Sequence, residues 1–449
     1  MAATDTLTTL PDNPDAVAAL PGGSGLPLLG SSLAFVRDPF AFHARRRAAH
    51  GPVYKSKLFG SWSVALNGPD ALELVLMDRE RNFSSFNGWR VLRQLFPDGL
   101  MLRDFDDHRA HRRVMQAAFK PGPMRDYVDR MNAGIARTLE QWEGASDFRF
   151  YPAIKSLTLD LGAAVFMGLE MDEDARRLNQ AFIDEVAASI ALIRRPLPGT
   201  AMARGVRARA FLLDYFRTLI PQRREGNMDD MFTQLCRAES DEGRRFSDEE
   251  IVNHLNFLMM AAHDTTTAGL TTMAWALARH PEWFEAIRAE VDAIGGDVLA
   301  YEDTDRMPVS ERVFKEALRL RPPVPFIPRG VQRDFEWQGH LIPAGINVSV
   351  SPGIVMRDPD LWTAPERFDP DRFLPERAED QRHRFAWAPF GGGAHKCIGL
   401  HFAMLQVKAF TFQFVQHYRP ALQDGYRDRW QAIPIPKPRD GLPLTLHPA

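Results

Sequence analysis

A chain of 449 residues with 45% apolar and 25% charged residues has the composition of an ordinary globular protein. Its formal net charge of −3 excludes the strongly basic balance that is typical of nucleic-acid-binding proteins. The two cysteines, Cys236 and Cys397, are too few for a disulfide framework or for a zinc site built from cysteine pairs. This cysteine usage is typical of the reducing cytosol, and we expect a cytoplasmic location.

The N-terminal residues 1–20 carry three aspartates and two prolines. They contain no apolar run close to the ~20 residues that span a bilayer, and they lack the basic start and apolar centre of a secretory signal. We therefore predict a flexible segment over residues 1–20 without a transmembrane anchor. A single domain is predicted over residues 21–449, and residues 21–27, rich in proline and glycine, are typical of a hinge at its start.

The first elements predicted along the chain are a β-hairpin and a short helix. Residues 53–66 alternate around Gly60 and are rich in aromatic and β-branched residues, which indicates the hairpin. Residues 70–77 form an amphipathic pattern. Further helical patterns, separated by proline- and glycine-containing breaks, cover residues 104–119, 125–142, 154–171 and 176–193.

The most clearly marked helix begins at Ser247. Ser247 and Glu250 have the spacing of a capping box, and Phe246 and Ile251 that of a hydrophobic staple. Apolar residues continue until His280 and Pro281, which gives roughly 30 residues or about 45 Å of helix. A helix so long and so apolar is predicted to run through the core.

The C-terminal part of the chain mixes helices, strands and irregular backbone. Helices are predicted over residues 281–294 and 310–320, and strands within residues 331–350. Residues 351–389 are rich in proline and are predicted to form an unusually long irregular stretch. A segment of this kind normally has a functional reason. The fold class is predicted as mainly α (α+β), a single large helical domain with small β-sheets.

An acid and an alcohol interrupt the apolar pattern of the long helix, where Asp264 and Thr265 follow two alanines. A carboxylate in a core helix is costly unless it is paired or solvated. An acid linked to solvent and placed beside a hydroxyl can deliver protons to a reduced oxygen species. Alternatively, Asp264 makes only local ion pairs and Thr265 bonds the carbonyl four residues earlier.

Residues 390–403 read Phe-Gly-Gly-Gly-Ala-His-Lys-Cys-Ile-Gly-Leu-His-Phe-Ala. The glycines permit a tight loop, and a helical pattern begins directly after Cys397. Because a helix N-terminus favours an anion, we expect a lowered pKa for the thiol of Cys397. A thiolate can serve as the axial ligand of a haem iron. The alternative is a buried structural cysteine that follows a glycine-rich turn.

The pattern Phe390-x-x-Gly393-x-His395-x-Cys397-x-Gly399, with Ala403 six residues after the cysteine, resembles the haem-binding signature of the cytochrome P-450 monooxygenases. Most members of that family carry arginine at the position of His395, although histidine can also donate to a haem propionate. The resemblance implies haem b as cofactor and Cys397 as the axial ligand of its iron. It also implies that the haem is bound by the loop and helix residues Phe390, Gly391, His395, Gly399 and Ala403.

The resemblance covers nearly the whole chain. Residues 261–265 resemble the family's oxygen-activation motif, in which Ala261 lies against the haem, Asp264 is the acid and Thr265 the alcohol, with Ala262 in the place of a usual glycine. His108, Arg112 and Arg329 match residues that the family sends to the haem propionates. Glu316 and Arg319 match its Glu-x-x-Arg helix, and Arg367 matches the arginine that completes a buried structural triad with them.

The resemblance implies a monooxygenase that activates O₂ and hydroxylates an apolar small molecule of the sterol, terpenoid, retinoid or fatty acid class. Pocket segments are expected over residues 86–100, 182–197, 258–265 and 324–327, which are rich in apolar residues.

Electrons would come from a ferredoxin or flavodoxin-type donor with an NAD(P)H-dependent reductase. We expect a monomer without a nucleic-acid partner. A basic patch could steer the donor, or its residues could be scattered surface charges: Arg109, Arg112, Arg113, Lys120, Arg125 and Lys396. The alternatives are a haem-thiolate peroxygenase or isomerase that needs no redox partner, disfavoured by Asp264 and Thr265, and a non-catalytic haem sensor.

Overall fold

The computed structural model describes residues 15–27, 29–144, 147–169, 173–191 and 193–449. Helices dominate this part of the chain. They are α1 Ser32–Arg37, α2 Pro39–His50, α3 Pro69–Met77, α4 Ser85–Gly88, α5 Phe105–Met115, α6 Pro121–Trp142, α7 Phe150–Met167, α8 Glu173–Ser189, α9 Ala201–Glu225, α10 Met231–Arg237, α11 Asp248–Arg279, α12 Pro281–Ile294, α13 Pro308–Leu320, α14 Pro352–Val355 and α15 Leu400–His417.

The strands are short and belong to four small sheets. They are β1 Gly22–Gly23, β2 Val53–Leu58, β3 Ser61–Leu66, β4 Phe83–Ser84, β5 Ile327–Val331, β6 Phe335–Trp337, β7 His340–Ile342, β8 Asn347–Val350, β9 Tyr418–Ala421, β10 Trp430–Gln431, β11 Lys437–Pro438 and β12 Thr445–Pro448. The largest sheet has the order β1-β2-β3-β8-β5-β4, and β2 and β3 form the predicted hairpin. The predicted fold class, mainly helical with small sheets, is confirmed.

Helix α11 is the central element of the helical core. Ser247 and Glu250 form the predicted capping box, and the helix runs for 32 residues, about 48 Å. Most of its side chains are buried, and it packs against α7, α9, α13 and α15. Most of the helix is therefore structural, and Asp264 and Thr265 occupy a single turn near its middle.

Helix α9 is the longest element that the apolar periodicity does not predict. Its packing against α8 uses small residues: a Cβ atom added to Gly205 would lie 2.2 Å from the Cβ of Ala188. Ala203 and Ala208 are also buried. Close packing of this kind needs few large apolar side chains. The sequence of α9 therefore lacks a clear apolar periodicity, and its most evident feature is its arginines.

The packed fold begins earlier than predicted. Val17 is fully buried and Leu20 is 5% exposed, and the carbonyl of Val17 accepts a hydrogen bond from Lys55 Nζ at 2.6 Å. The assignment of residues 1–20 to a flexible segment is therefore wrong for residues 15–20. Residues 1–14 lie outside the described residues, as do residues 170 and 171 of the predicted helix over 154–171 and residue 192 of the predicted helix over 176–193.

The predicted buried triad forms, but with a different arginine. Glu316 and Arg319 of α13 are fully buried and paired at 2.7 Å, and the side chain that joins them is Arg372, whose Nε lies 3.1 Å from Glu316 Oε1. The side chain of Arg367 is exposed, and its carbonyl accepts from Arg319 and Arg372. Arg367 is therefore not the third charged member, because its backbone passes the site while its guanidinium points away.

The irregular stretch over residues 351–389 is held to α13 through this triad. Arg319 donates to the carbonyls of Met356 and Pro365, and Glu316 accepts from the Asp369 N–H at 2.9 Å. Arg372 extends the network to Glu379 at 2.8 Å. Buried charges of both signs are thus satisfied by each other and by backbone groups, which fixes a segment that has little regular structure of its own.

One stretch of the described chain, Gly393–His417, is long and apolar enough to cross a membrane by length and composition alone. However, 67% of its most apolar window is buried inside the protein. It contains α15, whose phenylalanines pack against α6 and α7, and we interpret it as a core helix.

Candidate active site

The loop before α15 has a conformation that only glycine permits at one point. Gly393 has a φ of +61°, and a Cβ atom at this position would lie 1.8 Å from the carbonyl oxygen of Leu76. The loop then closes on itself, because the Cys397 N–H donates to the Phe390 carbonyl at 2.9 Å. Helix α15 begins three residues after Cys397, with Gly399 as its N-cap.

Cys397 has an accessible thiol that protein groups nevertheless surround closely. Burial raises the pKa of this thiol, and the Gly399 N–H, Arg112 and Lys396 offset the rise only in part. The expectation that the loop by itself lowers the pKa of Cys397 is therefore wrong, because desolvation outweighs the helix N-terminus and the two cations. A coordinated metal ion removes the proton from a thiol outright, so the thiol remains suited to an iron ligand.

Four basic side chains converge beside this loop: His108 and Arg112 from α5, Arg329 from β5, and His395. The rings of His108 and His395 lie 3.9 Å apart between centroids, at an interplanar angle of 31°. Burial, followed by the charges of Arg112 and Arg329, lowers the pKa of His108 to about 4. Burial, Arg329, His108 and Arg112 likewise hold the pKa of His395 well below its usual value. The mutual effects show that the four groups are neighbours.

The charges of this cluster are not balanced by carboxylates. Arg329 is 5% exposed, and its Nη1 donates a hydrogen bond to the Pro328 carbonyl at 2.9 Å. Among the described residues, none of the four side chains forms an ion pair with an aspartate or glutamate. Burial lowers the pKa of Arg329 to about 10, which Asp104 and Asp78 oppose from a distance. Buried cations of this kind need an anion to satisfy them.

The donor set therefore fits a haem. A soft sulfur ligand from Cys397 suits its iron, and guanidinium and imidazole N–H groups suit its two carboxylates. The predicted haem-binding residues Phe390, Gly391, Gly399 and Ala403 lie in or directly after the same loop. Gly399 passes close to the thiol, since a Cβ atom added there would lie 4.0 Å from Cys397 Sγ.

The acid–alcohol pair of α11 is ordered by two different contacts. Lys155 Nζ of α7 donates to Asp264 Oδ1 at 2.9 Å, and both side chains are largely buried. Thr265 Oγ1 donates to the carbonyl of Ala261 at 2.7 Å. The local hydrogen bond that we considered as the structural alternative for Thr265 is thus present, while Asp264 pairs with another helix and also lies 3.4 Å from Nδ1 of the neighbouring His263.

Lys155 is a site residue that the sequence interpretation missed. A signal for it exists: it is a lone lysine between Ile154 and Leu157 on a helix that is otherwise apolar at that level. A charged residue at such a position requires a partner of opposite charge, and Asp264 is the corresponding acid in α11 beyond its acidic first turn.

The predicted pocket segments meet only in part. Residues 86–100 reach α11, because Gly99 lies against the ring of Phe257, where a Cβ atom would be 2.4 Å from Cγ. Helix α8 reaches α11 through Glu185 and Asn256. Phe326, by contrast, packs among Phe35, Phe40 and His43 of the first two helices, so this part of residues 324–327 faces away from Thr265.

The predicted basic patch is partly neutralised by surface acids. Arg109 pairs with Asp106 at 3.4 Å, Arg125 with Glu302 at 2.6 Å, and Arg113 with Glu242. The members for which no such pair is found among the described residues are Arg112, Lys120 and Lys396.

Known proteins match this sequence and this fold over most of their length. The family model described as "Cytochrome P450" matches residues 20–434. The chain belongs to the cytochrome P450 family.

Two bacterial proteins are similar to this P450 along nearly its whole sequence. A putative cytochrome P450 136 of Mycobacterium tuberculosis is 40% identical, with 95% of this chain and 88% of the relative covered. A putative cytochrome P450 120 of Synechocystis is 30% identical, with 98% and 99% covered. A solved structure titled "Retinoic acid bound cyanobacterial CYP120A1" superposes with a TM-score of 0.87 at 31% identity, covering 96% of this chain and 99% of the other.

Plant hydroxylases are more distant relatives of this P450. Abscisic acid 8'-hydroxylase 3 of Oryza sativa is 29% identical over 96% of this chain and 87% of the relative. Taxane 13-alpha-hydroxylase of Taxus cuspidata is 26% identical over 95% of this chain and 91% of the relative. The family and these relatives identify the chain as a cytochrome P450 monooxygenase with a haem cofactor.

Proposed function

We propose that this P450 hydroxylates an apolar small molecule of the terpenoid or retinoid class, with sterols and fatty acids as the next candidates. The observation that carries the proposal is the full-length match, with a TM-score of 0.87, to a chain whose title describes it as bound to retinoic acid. The relatives named for abscisic acid and taxane act on ligands of related isoprenoid chemistry. The apolar residues around Phe257 and Met260 on α11 suit such a ligand.

The proposed cofactor is haem b, held by the residues around the Cys397 loop. Cys397 Sγ would be the axial ligand of the iron, and His108, Arg112, Arg329 and His395 would take the carboxylates. Bound haem supplies the redox chemistry that activates O₂, while the protein binds, orients and protonates. Glu316, Arg319 and Arg372 act structurally, by fixing the segment that leads to the loop.

Asp264 and Thr265 are proposed to deliver protons. The hydroxyl of Thr265 donates to the Ala261 carbonyl, which leaves its lone pairs free to accept a hydrogen bond from a water molecule. Lys155 holds the Asp264 carboxylate beside Thr265 on α11, with partial exposure to solvent. Asp264 can thus connect solvent, through water, to the hydroxyl of Thr265 in a proton relay.

Thr265→Ala tests this relay. We expect the variant to consume electrons and O₂ at a rate similar to the wild type but to convert at most about a tenth of them into product, because general acid–base groups typically contribute 10²–10⁴-fold. Thr272→Ala is the matched control, since Thr272 makes the same hydrogen bond four residues back, to Ala268 at 2.9 Å, deeper in α11. A Thr265→Ala enzyme with full coupling would contradict the relay.

The proposed electron donor is a small acidic iron–sulfur or flavin protein with an NAD(P)H-dependent reductase. Lys120 and Lys396, which lie on and around the elements that hold the Cys397 loop, are the cations of the predicted patch that neither a surface acid nor the proposed haem site engages, and they would attract it. We further propose that the P450 acts as a monomer in the cytoplasm, which agrees with its unpaired cysteines.

The substrate class is tested by oxygen incorporation. Purified holoenzyme is supplied with a surrogate ferredoxin, its reductase, NADPH and ¹⁸O₂, and is given retinoids, terpenoids, sterols and fatty acids separately. A product heavier by one labelled oxygen from a retinoid or terpenoid is the expected result. Labelled product from fatty acids alone would contradict the class, and product formed with peroxide but never with the donor chain would favour the partner-independent peroxygenase.

A further inference from the structure

Residues 86–100 of this P450 connect the strand β5, which carries one of the four basic side chains of the proposed haem site, with helix α11. Gly88, near the start of the segment, lies against β5, because a Cβ atom added there would be 2.4 Å from a carbonyl oxygen of that strand. Gly99, near its end, lies against the ring of Phe257, about two turns of α11 before Thr265. Side chains of this segment are therefore placed to meet a ligand that is bound beside Thr265.

Arg90 of this segment has a guanidinium group that the protein satisfies only in part. Its Nη2 donates to Ser61 Oγ of β3 at 2.8 Å. Its Nη1 is buried and has no hydrogen-bond partner among the described residues. A buried charged donor without an acceptor is costly, more so than a neutral one. The Arg90 guanidinium thus has a capacity for hydrogen bonds that the protein itself does not use.

A second arginine reaches the same place from the loop between α8 and α9. Arg194 Nη2 donates to the carbonyl of Val91, the residue after Arg90, and its Nη1 donates to the carbonyl of Ser189 at 2.7 Å. We call Arg90 and Arg194 the loop arginines. Burial lowers the pKa of both, and no carboxylate in the described part of the chain opposes this effect. Both are therefore partly desolvated cations without a counter-ion.

The sequence around the loop arginines supplies no acid either. Residues 57–62, 86–97 and 188–207 contain no aspartate or glutamate, although 58 of the 449 residues of the chain are acidic. An anionic ligand would offset the cost of holding two cations together in partly buried positions. A guanidinium fork suits a carboxylate best, because the two groups are planar and can form two parallel hydrogen bonds.

The side of this segment that faces the interior is apolar. Leu95 is fully buried and Phe96 is 2% exposed, and Phe257 of α11, which Gly99 contacts, is 6% exposed. Apolar walls with a small number of placed polar groups are typical of small-molecule sites. A ligand that satisfies both surroundings has an anionic end and an apolar body.

We propose that the loop arginines bind the carboxylate of the substrate, so that this P450 selects apolar carboxylic acids. The inference rests on the proposed function and deepens it, since it specifies acids within the terpenoid and retinoid class. The loop arginines bind and orient the substrate and take no part in the oxidation. Arg194 also draws the loop between α8 and α9 toward residues 86–100, so a bound carboxylate connects the two segments.

The test is spectroscopic titration of the holoenzyme with pairs of ligands that differ only in the carboxylate: retinoic acid and retinol, abscisic acid and abscisic alcohol, palmitic acid and hexadecanol. Binding beside the haem iron changes the haem absorbance and gives the Kd of each ligand. We expect at least one acid to bind about tenfold or more tightly than its alcohol, because hydrogen bonds to charged groups contribute at least this factor.

Variants of the loop arginines separate carboxylate binding from a structural role. Arg90→Gln and Arg194→Gln should each weaken binding of that acid by about tenfold or more and leave the Kd of its alcohol within about twofold. Arg90→Lys keeps the charge but not the fork, and should retain part of the preference. The absorbance spectrum of each ligand-free variant should equal that of the wild type, which shows that the fold and the haem site are intact.

Two further variants are the matched controls. Ser61→Ala removes the bond that the protein itself makes to Arg90, and Arg427→Gln removes an exposed positive charge outside the three acid-free segments. Both should keep the preference of the wild type for the acid. A Ser61→Ala variant that loses the preference as fully as Arg90→Gln does would show that Arg90 acts only by tying residues 86–100 to β3.

Other outcomes also decide against the proposal. It is overturned if no acid of the panel binds, if the alcohols bind as tightly as the acids, or if Arg90→Gln weakens acid and alcohol equally. Labelled product from the retinoid or terpenoid alcohols would then leave the proposed function standing. Failure of the acids and alcohols of both classes to yield labelled product would contradict the proposed function as well.

Discussion

Glu185 is a fully buried carboxyl group at the junction of α8 and α11. Its Oε1 accepts from Asn256 Nδ2 at 2.9 Å, whereas its Oε2 and the Oδ1 of Asn256 have no partner among the described residues. Burial raises the pKa of Glu185 to about 8, opposed by the bond from Asn256 and the charge of Arg209. The native protein therefore holds a proton at neutral pH that the unfolded chain releases.

Glu185→Gln should stabilise the protein. Because the raised pKa makes the native state bind more protons than the unfolded state, stability from this group is full below about pH 4.5 and is lost as the pH rises to about 8. Glutamine removes this loss, so the gain in unfolding free energy should be on the order of 3 kcal/mol at pH 7 and small at pH 5. Urea denaturation at both pH values measures it.

The exposed Glu225 on the neighbouring helix provides the control for this substitution. Glu225→Gln should change the unfolding free energy by less than about 0.5 kcal/mol at either pH. If Glu185→Gln gained the same amount at both pH values, the benefit would come from packing and not from the proton.

Individual site residues were predictable from the sequence to different degrees. Cys397 and His395 follow from a local motif, so their positions need no tertiary information. The role of Arg372 does not follow from a local motif, because Arg367 and Arg372 both lie close to Phe368 in the sequence. Only the path of the irregular backbone decides which guanidinium turns inward. The pKa of Cys397 was predicted in the wrong direction for a similar reason, since desolvation depends on the whole surroundings.

At the scale of elements, the triad makes α13 the anchor of residues 351–389. We expect Arg372→Met to lose about 3–5 kcal/mol of unfolding free energy, because it leaves Glu316 and Glu379 with fewer partners in a dry interior. Arg367→Met should lose less than about 0.5 kcal/mol, since its guanidinium is exposed and its carbonyl is retained. Denaturation midpoints and haem content of the two variants provide the comparison.

Helices α5 and α11 are joined by a pair of buried histidines. His111 Nδ1 and His254 Nε2 lie 2.7 Å apart, and Arg244 Nη2 lies 2.9 Å from His111 Nε2. Because a guanidinium only donates, His111 Nε2 must accept, and its Nδ1–H therefore donates to His254. Burial first, then Arg103 and Arg244, lowers the pKa of His111 to about 4, against the opposing charges of Asp107 and Glu250.

This pair should make the fold sensitive to acid. For a base whose pKa is lowered by folding, the unfolded state takes up the proton first, so stability is lost as the pH falls from about 6.5 toward 4. His254→Gln keeps an acceptor for His111 and removes one titrating group. The difference in unfolding free energy between pH 7 and pH 5 should shrink by about 2 kcal/mol. His417→Gln, at an exposed position, should leave the difference unchanged; equal slopes for both variants would rule the pair out as the cause.

The sequence predicted elements best where one side of a helix is apolar and the other polar. The capping box of α11 and the alternation of the β2–β3 hairpin are of this kind, and both were placed to within a residue or two. Helix α9 was missed because its contact with α8 depends on the absence of side chains at Gly205 and Ala203. Strand pairs such as β3 with β8 join residues nearly 300 positions apart, which no local pattern encodes.

At the scale of the whole molecule, residues 15–20 pack against the large sheet and are part of the folded domain. Val17 and Leu20 belong to the apolar cluster of the large sheet. A chain beginning at residue 21 should be less stable than one beginning at residue 15 by about 2–4 kcal/mol, because it loses both side chains and the acceptors of Lys55. Thermal unfolding of the two truncated proteins measures this difference, and equal transition temperatures would show that the contact contributes nothing.

The four basic groups of α5, β5 and the loop before α15 also bear on how the protein matures. These elements are distant in the chain, and the guanidinium charges of Arg112 and Arg329 lie near the two neutral histidines with no ion-paired carboxylate among the described residues. A polypeptide that folds before it acquires its cofactor must bring the two guanidinium groups together against their repulsion, whereas the carboxylates of a bound cofactor would offset it. We therefore expect cofactor capture to tighten the junction of α5, β5 and the loop before α15, so that this junction is looser in a chain without its cofactor.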